Sequence, residues 1–130
     1  MRKVLLIDDD PVVTTMYGRM LREQGFEVDV AGNGEEGLQA VRRQMPDVVL
    51  LDLDMPKTSG ISWLKTIRSR QKSKSLPVVI LTGGGKRRLL REAKHSDAMF
   101  VLSKATVRPQ IVIEALAAAA GGGGGVKVWT

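Results

Sequence analysis

The chain has 130 residues, of which 43% are hydrophobic and 26% are charged, and this balance suits one globular domain with a real core. It has no cysteine, which excludes disulfides, thiolate catalysis and cysteine metal sites, and its single histidine, His95, leaves no His-rich metal site. The apolar runs are too short to span a bilayer, and the residues before the first acidic triplet do not form a secretory signal. We therefore expect a cytoplasmic protein without a membrane span.

The charge is distributed unevenly along the chain, which has a formal net charge of +6. Residues 1–64 hold seven basic and eleven acidic side chains. Residues 65–94 hold ten basic side chains and one acidic side chain, Glu92. This two-sided pattern concerns the choice of partner more than the fold.

Five short apolar runs, rich in leucine and β-branched residues, predict five strands. In chain order they are Val4–Ile7, Val28–Ala31, Val48–Leu51, Val78–Leu81 and Phe100–Leu102. The first, third and fourth runs are apolar at consecutive positions, which is typical of strands in a parallel sheet with both faces covered. Five segments with helical spacing of apolar residues follow the strands one by one. The alternation predicts an α/β fold, a doubly wound parallel sheet with five helices joined by right-handed crossovers.

The predicted helix ends carry recognisable capping residues. Asp10, followed by a proline, is a typical N-cap of the first helix. Asn33, with a glutamate three residues later, resembles a capping box, and Ser59 is the candidate cap of the third helix. Gly25 lies where the first helix should end.

The last ten residues differ in composition from the rest of the chain. Five consecutive glycines follow Ala117–Ala120, and the final residues 126–130 alternate between apolar and polar side chains. We expect a folded domain over residues 1–120 and a glycine-rich linker with a short tail over residues 121–130. Two interpretations of the tail stay open: a flexible segment, or a small strand that docks on the edge of its own or a neighbouring sheet.

Polar residues follow the predicted strands at their carboxyl ends, where open α/β sheets place their functional groups. The first strand is followed by Asp8 and Asp9, and the third ends in Asp52. Carboxylates at neighbouring strand ends repel one another unless a cation balances them. Mg²⁺ is commonly held by one or two carboxylates together with a phosphate. The pattern therefore predicts a divalent cation at this edge of the sheet.

The third, fourth and fifth strand ends add groups suited to phosphoryl chemistry. Asp52 directly follows a buried run, so its carboxylate loses solvation unless metal or hydrogen bonds compensate. Such a carboxylate can act as metal ligand, general base or nucleophile that forms an acyl phosphate. The Thr82 hydroxyl and the Lys104 ammonium would form a cradle for a phosphoryl group. The Asp54 side chain is expected to point away, which leaves its backbone carbonyl as a candidate ligand.

These segments together resemble the receiver domain of a two-component response regulator. The matching stretches are VLLIDDDP at 4–11, VVLLDLDMPKTSG at 48–60, VVILT at 78–82 and VLSK at 101–104, and the resemblance extends over residues 3–116. It implies a flavodoxin-like fold with strand order 2-1-3-4-5. The resemblance also implies a place in signal transduction, as a stand-alone receiver or a fragment of a larger regulator.

The resemblance further implies a role for each site residue. Asp52 would accept a phosphoryl group from a phosphohistidine on a sensor histidine kinase or a histidine phosphotransfer protein. Thr82 and Lys104 would each bind a phosphoryl oxygen. The implied Mg²⁺ ligands are Asp8, Asp9, Asp52 and the backbone carbonyl of Asp54. The chemistry would be self-catalysed phosphotransfer followed by autodephosphorylation, and not the turnover of a separate substrate.

Phosphorylation would then repack the face formed by the fourth helix, the fifth strand and the fifth helix. The fourth predicted helix, residues 86–94, carries five basic side chains beside that face. We expect an acidic protein partner there, with a homodimer as a further assembly and nucleic acid not as the primary partner.

The sequence departs from the receiver pattern at two positions near the end of the fifth strand. Ala105 follows Lys104 where the family usually has a proline in a cis peptide. A cis bond without proline costs about 2.5–4 kcal/mol, so we expect a trans peptide. Val101 stands where the family often has an aromatic residue, so an aromatic rotamer switch is not expected.

Alternative functions stay open at this point. The chain could be a receiver-fold binding module that acts without phosphorylation. The Gly83–Lys86 loop could also form a nucleotide- or anion-binding nest, although it lacks the Walker spacing. The basic block would suit a nucleic-acid binder, but aromatic residues for base stacking make up only 4% of the chain.

Overall fold

The computed structural model describes residues 2–55, 59–83, 91–92, 96–121 and 128–129, the last two by their backbone alone. The strands are β1 (Lys3–Ile7), β2 (Glu27–Ala31), β3 (Val48–Asp52), β4 (Val78–Thr82), β5 (Phe100–Ser103) and β6 (Val128–Trp129). The helices are α1 (Pro11–Glu23), α2 (Gly34–Arg43), α3 (Gly60–Arg68) and α4 (Pro109–Ala120).

All strands are parallel and form one sheet with the order β2-β1-β3-β4-β5-β6. The first five strands confirm the predicted flavodoxin-like order 2-1-3-4-5. The sheet also contains a sixth strand of two residues, in which Val128 pairs with Phe100 and Trp129 pairs with Val101. Residues 128 and 129 of the tail therefore form a strand on the edge of the chain's own sheet, as in one of the two interpretations that the sequence left open.

One predicted helix falls mostly outside the described residues. It covers residues 86–94, of which Arg91 and Glu92 are described and have helical backbone. The fifth predicted helix is α4 in the structure. Within the described ranges, no helix combines the length and the apolar character needed to cross a membrane.

The hydrophobic core consists of two layers, one on each face of the sheet. On one face α2 and α3 pack against the sheet, with Trp63 and Ile67 among the fully buried side chains. On the other face α1 and α4 pack through side chains such as Leu21 and Leu116. Because both faces are covered, β1, β3 and β4 are buried at every position, which explains their unbroken apolar runs.

The predicted capping residues occupy the predicted helix ends. Asp10 accepts a hydrogen bond from the Val12 N–H at 2.9 Å, so its carboxylate caps α1. Asn33 accepts one from the Glu36 N–H at 2.9 Å, and Ser59 accepts one from the N–H three residues later at 3.2 Å. Gly25 follows α1 with a φ of +91°, a conformation that favours glycine.

Candidate functional site

Three carboxylates lie together at the carboxyl edge of the sheet. The neighbouring strands β1 and β3 pair Ile7 with Leu51, so the residues that follow them end side by side. One carboxylate oxygen from each of Asp8, Asp9 and Asp52 lies within 4.8 Å of the others. Asp8 and Asp52 are buried, with 7% and 3% of their surface exposed, whereas Asp9 is exposed. The structure thus brings together the three side chains that the sequence assigned to a cation.

Lys104 connects this cluster to the end of β5. Its Nζ atom lies 3.1 Å from Oδ2 of Asp8 and 3.3 Å from Oδ1 of Asp52. The ammonium group thus balances part of the charge of two buried carboxylates, which lowers their mutual repulsion. The peptide between Lys104 and Ala105 is trans, and the described residues contain no cis peptide.

The two oxygens of Asp52 have different surroundings. Oδ1 accepts a hydrogen bond from the Asp54 N–H at 3.2 Å, and it is also the oxygen that faces Lys104. Oδ2 has no hydrogen-bond partner among the residues that the structure describes. One oxygen is therefore held by two donors, whereas the other has none among the described residues.

Burial and the neighbouring charges together shift the pKa values of Asp52 and Lys104. Burial raises the pKa of Asp52, and the neighbouring Asp8 raises it further, while the Asp54 N–H and Lys104 oppose this. Burial lowers the pKa of Lys104, but Asp52 and Asp8 outweigh that effect, so its pKa lies above the usual value. A protonated lysine is thereby favoured between the two carboxylates.

Thr82 and Asp54 are the remaining residues of the predicted phosphorylation and metal site. Thr82 is the last residue of β4, is 3% exposed and pairs with Ser103, so it lies between the ends of β3 and β5. The Asp54 side chain is exposed, and its Oδ2 would lie 3.4 Å from a Cβ placed on Gly83. The Asp54 carboxylate is thus directed toward the start of the loop after β4. Beyond Gly83, the predicted anion-binding loop falls outside the described residues.

Two residues shape the site without having been assigned a role from the sequence. A Cβ on Gly60 would lie 2.7 Å from the backbone oxygen of Asp52, so only glycine lets α3 start so close to the end of β3. Tyr17 lines a small cavity beneath the carboxylates together with Asp8, Asp52 and Thr14. Burial raises the pKa of Tyr17, against the opposing charge of Lys104. The Ser-Gly pair at the start of α3 was the available signal for Gly60, while Tyr17 has the spacing of an ordinary apolar residue in the first helix.

The donor set fits a hard divalent cation. All three clustered side chains offer carboxylate oxygens, which are the ligands that Mg²⁺ prefers. Burial of two of them makes the uncompensated cluster costly, and Lys104 supplies only one positive charge. An additional cation at this cluster would therefore be favourable.

The fold and the site define a doubly wound α/β protein whose carboxylates and one lysine meet at the carboxyl edge of the sheet. A family model, the response regulator receiver domain, matches residues 4–116. The chain belongs to this family of two-component signal-transduction domains.

Individual relatives agree with this assignment. The probable chemotaxis protein CheY of Rhizobium etli is 34% identical over 103 residues, which cover 78% of this chain and 80% of that protein. The transcriptional regulatory protein PdtaR of Mycobacterium tuberculosis is 35% identical over 104 residues, or 79% of this chain and 49% of that protein. The chain thus spans about half the length of PdtaR, and 33% of the probable transcriptional regulatory protein TcrX of the same species.

Solved structures show the same fold. A putative response regulator from Chloroflexus aurantiacus superposes with a TM-score of 0.84 at 29% identity, covering 92% of this chain and 98% of that one. The chemotaxis protein CheY4 of Vibrio cholerae superposes with a TM-score of 0.81 at 28% identity and the same coverage.

Proposed function

We propose that this receiver domain is phosphorylated on Asp52 in a Mg²⁺-dependent reaction. The observation that carries the proposal is the placement of Asp52, a buried carboxylate whose Oδ1 is fixed while its Oδ2 is unbonded among the described residues. A fixed carboxylate needs little reorganisation before it attacks a phosphorus atom in line. The chain acts as phosphoacceptor in self-catalysed transfer and autodephosphorylation, without turnover of a separate substrate.

The reaction follows from the different bonding of the two Asp52 oxygens. Oδ2 attacks the phosphorus atom, a P–O bond forms, and the bond to the nitrogen of the donor imidazole breaks. The Asp54 N–H and Lys104 hold Oδ1 and so fix the plane of the carboxylate. Lys104 then pairs with a phosphoryl oxygen, and the Thr82 hydroxyl bonds another.

The acidic cluster would hold Mg²⁺ beside the reacting group. The proposed ligands are Asp8, Asp9, Asp52 and the backbone carbonyl of Asp54. When bound, the ion offsets the negative charge of the carboxylates and of the transferring phosphoryl group. The Asp8 carboxylate is already held in position for this role, because its Oδ1 accepts a hydrogen bond from the Asp10 N–H at 2.9 Å.

The donor would be a phosphohistidine on a sensor histidine kinase or a histidine phosphotransfer protein in the cytoplasm. Family membership supports this donor class. The signal would leave through the face formed by the predicted fourth helix, β5 and α4, toward an acidic protein partner or a second copy. The basic side chains of residues 86–94 support an acidic partner by charge complementarity.

The test is the intact mass of the protein after incubation with acetyl phosphate and Mg²⁺. We expect the wild type to gain one phosphoryl group, and we expect chelation of the metal or the Asp52→Asn substitution to abolish the gain. Glu23→Gln, at an exposed carboxylate in the last turn of α1, is the matched control and should label like the wild type. Equal labelling of Asp52→Asn, or no labelling of the wild type, would contradict the proposal. The second outcome would favour a receiver-fold binding module that acts without phosphorylation.

A further inference from the structure

The two edges of the sheet are protected in different ways. Before β6 is added, β2 and β5 are the outermost strands. The β2 strand carries Glu27 and Asp29, and charged side chains on an edge strand discourage pairing with other chains. The β5 strand has the sequence FVLS and carries no charge. An uncharged apolar edge of this kind needs a cover.

In this structure the cover of β5 is the chain's own C-terminal segment. Lys104, directly after β5, donates its N–H to the Thr82 carbonyl at 2.8 Å, on the β4 side. Because successive N–H groups point to opposite edges of a strand, the Leu102 N–H also points toward β4, and those of Val101 and Ser103 point toward β6. The Phe100–Val128 and Val101–Trp129 pairs lie at this outer edge.

The connection from β5 to β6 has an unusual hand for this type of sheet. The connection from β2 to β3 runs across the sheet in the direction of β6 and contains α2. The connection from β1 to β2 runs in the opposite direction and contains α1. The step from β5 to β6 moves toward β6 but crosses by α4, which packs on the same face as α1. This connection therefore has the opposite hand to the other two. Connections of that hand are rare between parallel strands of one sheet.

We propose that the outer edge of β5 is a strand-docking site whose resident occupant is the chain's own C-terminal segment. Two residue pairs hold this strand, its crossover has the disfavoured hand, and ordering a glycine-rich linker costs entropy. The cover is thus weakly held and is displaced by an extended peptide of a partner that pairs with the same edge. This site does not depend on phosphorylation of Asp52, although it lies on the proposed output face.

The test is amide hydrogen exchange in the full chain, read by NMR at Val101, whose N–H points to the outer edge. A Val128→Pro/Trp129→Pro double variant removes the N–H groups of both tail residues, one of which faces β5, and Val128→Ala/Trp129→Ala keeps them. We expect the Val101 amide to lose protection in the proline variant and to keep it in the alanine variant. The amide of Leu50, in the central strand β3, should stay protected in all three proteins.

A peptide with the sequence of residues 124–130 provides the second readout. We expect it to restore protection of Val101 in the proline variant at a lower concentration than it needs to exchange with the tail of the wild type. Fast exchange of the Val101 amide in the wild type would overturn the proposal. Protection that appears only as the wild type dimerises would also overturn it, because the occupant would then be a second copy's tail. Asp52→Asn should leave the result unchanged, which separates this test from that of the proposed function.

Discussion

The Nζ atom of Lys104 lies 3.3 Å from Oδ1 of Asp52, which joins the residue after β5 to the last residue of β3 across the end of β4. The same ammonium group lies 3.1 Å from Asp8, at the end of β1. One lysine therefore connects three strand ends of the central sheet. The ion pair between Lys104 and Asp52 belongs to the site. It also helps to explain how two buried carboxylates can lie close together there.

Replacement of Lys104 should make folding depend on Mg²⁺. In Lys104→Met, Asp8 and Asp52 lose their common counterion, and we expect the free energy of unfolding without Mg²⁺ to fall by about 1–3 kcal/mol. Millimolar Mg²⁺ should recover part of this loss, because an ion that binds the folded cluster and not the unfolded chain would stabilise the folded state. Urea denaturation with and without Mg²⁺ measures both effects.

The matched control is Lys65→Met on α3. Lys65 is exposed and has no ion-pair partner among the described residues, so its replacement should change stability by less than about 0.5 kcal/mol. A Lys104→Met protein as stable as this control in the absence of Mg²⁺ would show that Lys104 is not needed to balance the carboxylates.

Two adjacent aspartates should separate metal binding from helix capping. Asp9 is an exposed member of the carboxylate cluster, and Asp9→Ala should abolish Mg²⁺-dependent labelling while changing stability by less than about 0.5 kcal/mol. Asp10 caps α1, and Asp10→Ala should cost about 1 kcal/mol and keep the labelling. Intact mass and urea denaturation of both variants give the comparison, and a reversal of the two phenotypes would refute the division of roles.

Gly60 should tolerate no side chain. Its Cβ would lie 2.7 Å from the Asp52 oxygen and 2.9 Å from the Leu53 Cα, both backbone atoms that cannot rotate away. We expect Gly60→Ala to cost about 1–3 kcal/mol in thermal or urea unfolding and to slow labelling of Asp52. Gly18→Ala in α1 is the contrast, because it meets only the flexible end of Arg22 at 3.2 Å and one methyl group at 3.9 Å. It should stabilise the helix by about 0.5–1 kcal/mol, so equal effects of the two substitutions would contradict the close-contact argument.

Trp63 should be replaceable by phenylalanine at little cost. The side chain is 1% exposed, and its Nε1–H has no hydrogen-bond partner in the part of the chain that the structure describes. Trp63→Phe loses packing but also removes a buried donor whose desolvation costs about 1–3 kcal/mol. We expect a net change within about 1 kcal/mol in urea unfolding. Leu64→Ala on the same helix should cost about 2–5 kcal/mol, and a comparable loss for Trp63→Phe would show that packing dominates.

The strands and the helix caps could be predicted from the sequence because their signals are local. Each of the first five strands begins and ends within one residue of its apolar run. In β1, β3 and β4 this run is unbroken because both faces are buried. Asp10, Asn33 and Ser59 act on their own helix ends, so no distant contact was needed to place them.

Features that depend on distant contacts were harder to predict. Met16 shares the apolar spacing of α1 with Tyr17 and Leu21, yet it is 40% exposed because the sheet and α4 cover a narrower stripe of the helix. The close approach of Gly60 to Asp52 requires the position of α3 relative to β3. The strand β6 has only two residues, which is too short for a periodic signal.

The separation of the core into two layers has a consequence for how substitutions combine. Leu5 and Leu6 are neighbours in the chain, but their side chains belong to different layers, on opposite faces of β1. The sheet thus acts as a partition between two sets of side chains that do not touch. Truncations of Leu64 on α3 and Leu116 on α4 should therefore have additive free energies, whereas pairs within one layer should show coupling. Because a single domain of this size is expected to unfold cooperatively, the losses from the two faces should add within one unfolding transition.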